Sequence, residues 1–319
     1  MSILLTDLIA RVPLEIEVRV RRVRDQVQKA VRDALREECR LVFRVPTEPS
    51  GAQVPVEISP GHPPILRDIE FPSDFERIML LGRYRARLEQ ARDGSGGLLK
   101  LRDELLRLPE PEKWTSATAT DLQSVQHWAI ALLKMLDQHD PLKKVLSVSE
   151  DILGVYEYAA MDTLAEERTV NRATVRLYWG VIGLVSEWLG CEVEDLATVV
   201  LTHELAHAYT QLGADIEGRR WPAPLFARAE TALKEGLAQY YTERVLHRLD
   251  HRGGSALGVF RALLPKQSDA YRAHEPWLTE FSPEAVRRAM LEVRRWKEGG
   301  LEDFNKRLRA AKVQLEPEA

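Results

Sequence analysis

His203-Glu204-Leu205-Ala206-His207 sits inside a long apolar-periodic run, and its reading decides the rest. Residues four apart lie on one helix face, so two imidazoles at this spacing can reach a single ion together. Glu204 is one residue round from His203. There its carboxylate can address a water at the ion without becoming a ligand. Leu201, Leu205, Ala208 and Leu212 fall on the opposite face, which suits burial. Glu192, Glu194 and Asp195 lie at the start of the run, where the helix dipole favours anions, and Gly213 is a candidate C-cap. The bland alternative is a pair of solvated histidines on a charged helix.

A catalytic zinc takes three protein ligands and leaves a position for water, so a third ligand is needed. The arrangement with a glycine three and a histidine six residues after the second histidine is excluded, because Thr210 and Gly213 stand there. Asp215 and Glu217 sit between Gly213 and Gly218 and read as loop acids. Glu235 lies 28 positions after His207, near the start of a second helical run beyond Pro222 and Pro224. Gly236 and Ala238 beside it are small, which would let the two helices approach. The alternative for Glu235 is a surface carboxylate paired with Lys234 or Arg228.

His-Glu-Leu-Ala-His at 203–207 followed by Glu-Gly-Leu-Ala-Gln-Tyr at 235–240 resembles the gluzincins, zinc metallopeptidases with H-E-x-x-H on one helix and a glutamate ligand on the next. The resemblance spans about 50 residues around the site. It implies His203, His207 and Glu235 as ligands of Zn2+, Glu204 as general base, and a peptide or protein substrate. Two departures stand out. The gap before the glutamate is longer than in many members. The position four after it, often an aspartate that steers the first histidine, is Gln239, whose carbonyl could accept the same N–H bond less strongly. The usual Tyr or His donor to the tetrahedral intermediate has no motif, which leaves Tyr240, Tyr241, His247, His251, Tyr271 and His274 as equal candidates. By analogy with the resembling fold, the strand that would pair with an extended substrate falls within 152–158, at Val155, Tyr156 and Tyr158.

Elsewhere the chain reads as α+β and mainly helical. The 319 residues divide into a mixed N-terminal module at 1–110 and a zincin-like module with a small sheet at 111–319, the boundary lying anywhere in 95–145. Leu14, Ile16, Val18 and Val20 alternate with polar residues as in a half-buried strand, and 24–40 reads as an amphipathic helix. Leu41 to Val45, 53–58 and 65–70 are further strand candidates. Helices are expected at 74–92, 98–108 and 118–137, interrupted by Asp93-Gly94-Ser95-Gly96-Gly97 and Pro109-Glu110-Pro111. Extended runs at Ile152 to Tyr158 and Arg172 to Tyr178 precede a helix at 181–189 and the histidine helix.

The net charge of −4 gives no general reason to expect nucleic acid. Arg19 to Arg44 carries nine Lys/Arg against four Asp/Glu, but the interleaved acids suit a solvated amphipathic face better than a phosphate-binding one. Cys39 and Cys191 are far apart and read as two buried or half-buried thiols. No signal peptide or membrane-spanning run is visible, so a cytoplasmic setting is the default expectation. Two other roles remain open. Zinc could staple the helices of a non-catalytic binding or regulatory protein, although such a site has no need of Glu204. The peptidase could also be a sensor dedicated to one cognate protein. The oligomeric state is not legible.

Overall fold

The computed structural model describes residues 2–43, 54–72, 84–105, 119–146, 151–160, 170–250, 255–295 and 300–315, together with Phe75, Met79 and Gly82. It is mainly helical with a few strands. The strands are β1 (Ser2–Leu4), β2 (Val56–Ser59), β3 (Glu70–Pro72), β4 (Gly154–Ala160) and β5 (Val170–Tyr178). The first helices are α1 (Leu5–Ala10), α2 (Glu15–Cys39), α3 (Arg85–Leu105), α4 (Ala119–Gln138) and α5 (Pro141–Leu146). The middle of the chain holds α6 (Trp179–Leu189), α7 (Val193–Leu212), α8 (Ala223–Arg228) and α9 (Thr231–Asp250). Then come α10 (Ala256–Leu263), α11 (Asp269–Arg272), α12 (Glu275–Glu280), α13 (Pro283–Val293) and α14 (Leu301–Leu315).

The histidine helix α7 is the centre of the molecule. Helices α2, α6, α9 and α10 pack against it, and β4 and β5 cover another side. Every residue from Val199 to Leu212 is buried, so the expected one-sided burial is an understatement. A helix enclosed all round needs its polar side chains satisfied within the protein, which is the condition for a metal centre. Gly213 ends α7 in an extended conformation (φ −63°), without the left-handed turn a glycine cap usually supplies. Its reason is close approach, since a Cβ there would lie 2.6 Å from Leu41 Cβ.

The sheet runs β2-β5-β4, with β2 parallel and β4 antiparallel to β5. Strand β4 is therefore an edge. Ala173, Val175 and Leu177 of β5 point into the core as their alternation indicates. A single hydrophobic core runs from Leu5 to Ala311 and includes β2, so the described residues before 73 share it with the histidine helix. Helices α3 and α4 form a small separate cluster around Leu88, Leu133 and Leu136. A module boundary near residue 110 falls outside the described residues, as do Pro109-Glu110-Pro111.

The strand expected at Leu14 to Val20 is instead the first turns of α2. Its apparent alternation leaves Val18 58% exposed, while Val20, Val23, Val31 and Leu35 continue a helical period into the core. An Arg21–Glu17 pair four residues apart supports the same turn. Part of the basic excess is taken up in intramolecular pairs. Arg19 donates to Glu192 and Glu194 at the start of α7, and Arg40, just past the helix, pairs with Glu284. Glu37 and Glu38 accept from Arg248 and Arg244 of α9.

Helix α3 runs straight through Asp93-Gly94-Ser95-Gly96-Gly97, where a break was expected. A Cβ at Gly96 would lie 2.9 Å from the Gln126 amide of α4, so the glycine permits close contact. Gly94 and Gly97 have open space around them, so the helix carries their propensity cost of about 1 kcal/mol each without such a contact. The strand expected from Leu41 reduces to a bridge between Val42 and Ala214, Arg44 and Val45 lying outside the described residues. At 65–70 a 3-10 turn over Pro64–Leu66 comes first and β3 begins only at Glu70. Cys39 is buried and Cys191 half-buried, and burial pushes their thiols up to about 12 and about 11. No helix among the described residues is long and apolar enough to cross a membrane.

Candidate metal centre

Helix α7 delivers His203 and His207 to one point, with Nε2 atoms 3.2 Å apart and rings nearly perpendicular. Helix α9 packs along α7 and brings Glu235 to the same point. Its Oε2 lies 3.3 Å from His203 Nε2 and 3.2 Å from His207 Nε2. A fourth donor, the second carboxylate, arrives from the segment before β4. Asp151 Oδ1 is 3.6 Å from His203 Nε2 and Oδ2 is 3.8 Å from His207 Nε2. One donor atom from each of the four residues lies within 4.8 Å of the others.

These separations have a simple meaning. Bonds of about 2.0–2.1 Å to a tetrahedral ion place the donor atoms roughly 3.3 Å apart. The three edges among His203, His207 and Glu235 match that value. The Asp151 distances, Oδ1 to His203 and Oδ2 to His207, are a few tenths of an ångström longer. The charges agree. Asp151, Glu204 and Glu235 crowd a buried site, and the cavity beside it is lined by no lysine or arginine. Carboxylates in that setting require a cation. The donor set of two imidazoles and carboxylate oxygens suits a divalent ion.

In the ion-free chain, protons take over part of that role. Burial lowers the basicity of His203, but its hydrogen bonds to Asp151 and Glu235 outweigh this and hold its pKa well above the usual value. Burial raises Glu235, yet the His207 and His203 imidazoles hold its carboxyl below the usual carboxylate range. Glu204 goes the other way. Desolvation and then the Asp151 charge push it well above the usual range, against a hydrogen bond from the Tyr156 backbone.

Glu204 is fully buried and is not one of the four converging donors. Its Oε2 has no hydrogen-bond partner among the described residues. It lines a cavity of about 40 Å³ together with Asp151, His203 and Tyr271. That volume is enough for water and far too small for a peptide. Gly154, the first residue of β4, makes room for the carboxylate. A Cβ at Gly154 would meet Val200 Cγ1 at 2.8 Å, Glu204 Cγ at 2.9 Å and Glu204 Oε1 at 3.0 Å. Gly154→Ala should therefore displace Glu204 and cost about 1–3 kcal/mol of stability by overpacking. The expected outcome is a lowered melting temperature with bound metal retained. Unchanged stability would show that the helix and strand can separate at no cost.

Of the five donor candidates among the described residues, Tyr271 of α11 is the one at the site. Its hydroxyl donates to Asp151 Oδ1 and its ring stacks on His203 at 5.8 Å. His274 supports it from behind, with Nδ1 2.8 Å from the Tyr271 carbonyl and Nε2 3.4 Å from Glu243. Tyr240 packs under Arg244, Tyr241 lies in the core with Tyr240, and His247 faces Arg261 at the surface. His251 lies outside the described residues.

Gln239 lines the same cavity, but its expected bond to His203 is not formed. Its amide donates to Gln267 at 3.2 Å, and both its Oε1 and His203 Nδ1 are buried without partners. Gly236 does not face α7. A Cβ there would meet Trp277 at 2.7 Å, so the glycine serves the packing of α12. Asp215 accepts from the Glu217 and Arg219 amides in its own loop and, with Glu217, pairs with Arg295. Neither belongs to the donor group.

On β4, Tyr156 and Tyr158 stack at 5.7 Å and both meet the edge of Phe226, while Val155 packs against the core. Asp151 is the residue that sequence reading missed. It carries no spacing relation to the histidines, and its only signal is an acid just ahead of an extended run. Gly154 could have been found, because a glycine opening a strand often marks close approach. No family model matches the chain, and no curated protein or solved structure shows a significant match.

Proposed function

We propose that this chain is a zinc-dependent peptidase with a zincin-like site, in which His203, His207 and Glu235 hold the ion and Glu204 is the general base. The observation that carries the reading is the Glu204 carboxylate. It is buried against the donor group, outside it, and lines a water-sized cavity, with one oxygen unpartnered among the described residues. A bound zinc would lower the pKa of water towards neutrality and polarise a carbonyl. Glu204 then accepts the proton of the attacking water and returns it to the leaving amine. The charge of a bound cation would keep the buried Glu204 carboxylate ionised and able to take that proton. Tyr271 is placed to donate to the oxygen that gains charge. Strand β4, an edge with Val155, Tyr156 and Tyr158, would hold an extended substrate backbone.

A second reading has a specific observation in its favour. With Asp151 the donor group numbers four, as in a structural zinc site that staples helices. Glu204 argues against it, since burying an idle carboxylate is costly. The test has two parts. Purified protein should contain about one zinc per chain, and a proteomic cleavage screen should show substrates absent from the Glu204→Gln sample. Glu235→Ala should weaken zinc binding by a factor of at least ~10–100, the range for losing even an outer-shell partner, whereas Asp215→Ala and Glu217→Ala should leave it unchanged. Zinc released by the Asp215 change and not by the Glu235 change would refute the ligand set.

A further inference from the structure

We propose that Asp151 is a releasable fourth ligand, so that the fold described here is a latent form whose metal site is closed from within. The inference rests on the metal-centre reading above and adds its regulation. A hydrolytic zinc site needs one position free of protein donors. Asp151 stands in that position, with its two oxygens 3.6 Å and 3.8 Å from the two histidine Nε2 atoms. The space left beside Glu204 and Asp151 is about 40 Å³, room for a water and not for a peptide.

Three features separate Asp151 from the other donors and mark it as the one that leaves. His203, His207 and Glu235 are fixed in the long helices α7 and α9, whereas Asp151 lies in irregular chain ahead of β4. Its side chain is 20% exposed, against 8%, 6% and 10% for the others. Its distances to the histidines are also the longest of the group. A ligand with these properties can swing out without unfolding the helices that carry the rest.

Tyr271 makes the two states mutually exclusive. Its hydroxyl is a single donor, and in the closed form it donates to Asp151. When Asp151 departs, the same hydroxyl is released beside the ion and next to Glu204. Opening therefore frees the coordination position and a hydrogen-bond donor in one movement. The occupant that would displace Asp151 is an extended peptide whose carbonyl oxygen takes its place, added along β4.

The experiment uses the 319-residue chain loaded, in place of zinc, with Co2+, whose visible absorption reports coordination. Acetohydroxamate, a small bidentate ligand for such ions, is titrated into wild type, Asp151→Asn and Asp151→Ala. If the closed form dominates, the apparent affinity of wild type is reduced by the fraction of open molecules. Both variants should then bind acetohydroxamate at least ~10-fold more tightly and show a changed cobalt spectrum before it is added. Equal affinities and equal spectra in three cobalt-loaded proteins would overturn the proposal while leaving the metal centre intact. Failure of folded Asp151→Asn to hold cobalt would also overturn it, because Asp151 would then be an integral structural ligand. Wild type that binds no cobalt would instead refute the metal reading and the latch with it. Tighter acetohydroxamate binding by the variants, with no peptide cleaved by any of the proteins, would uphold the latch and refute the peptidase.

Discussion

Glu204→Gln keeps its zinc and its fold and loses hydrolysis by a factor of about 10²–10⁴, the usual range for removing a general base. The reason is chemical. An amide of nearly the same shape fills the space under Gly154, but it cannot accept the proton of an attacking water at neutral pH. Metal binding is spared because Glu204 is outside the donor group of Asp151, His203, His207 and Glu235. Stability should hold or rise, since the substitution removes a desolvated carboxylate whose Oε2 has no partner. The measurements are zinc content, melting temperature and cleavage of substrates found in the proteomic screen. A variant that holds its zinc and cleaves as fast as wild type would end the general-base role. A variant that stays fully active in a cell-based assay after its cleavage is abolished would make zinc a staple and not a catalyst.

The part of the site that was legible is the part written locally. His203 and His207 are one helical turn apart, so their convergence follows from backbone geometry alone. Glu235 was reachable because it opens a second helix of matching texture, although Gly236 beside it serves the packing of α12 and not the contact with α7. Asp151 was not reachable. It meets the histidines only because β4 pairs with β5 and both lie on α7, a contact between distant parts of the chain that no periodicity encodes. Tyr271 shows the same limit, since five other residues had equal claims until α11 placed it against His203. The misread strand at Leu14 to Val20 has a different cause. A short apolar alternation fits both periods, and burial against α7 selected the helical one.

Chelation should destabilise the protein, and more at about pH 8.5 than at about pH 6, a direction set by linkage. In the metal-free fold Glu204 has a pKa well above its ordinary 4.5. A carboxyl that resists ionisation in the fold costs stability progressively as pH climbs above that ordinary value towards the folded one. His203 is raised above its ordinary 6.5, so its contribution is complete below that value and is lost as pH rises through the folded pKa. Glu235 is depressed and works in the opposite sense, but its contribution is already complete above its ordinary 4.5 and is lost only at acid pH. Between about pH 6 and pH 8.5 the metal-free protein therefore weakens on balance. The loaded protein does not follow, because imidazole and carboxylate bind the ion better as protons leave. An uncompensated buried charge costs roughly 3–5 kcal/mol, so the melting temperature should fall on the order of 10 °C with chelator at the higher pH. The gap should be smaller at the lower pH, and His203→Ala with His207→Ala should abolish it at both. Equal melting temperatures with and without chelator, or a gap that narrows as pH rises, would mean that this buried group of acids and imidazoles is not balanced by a metal ion.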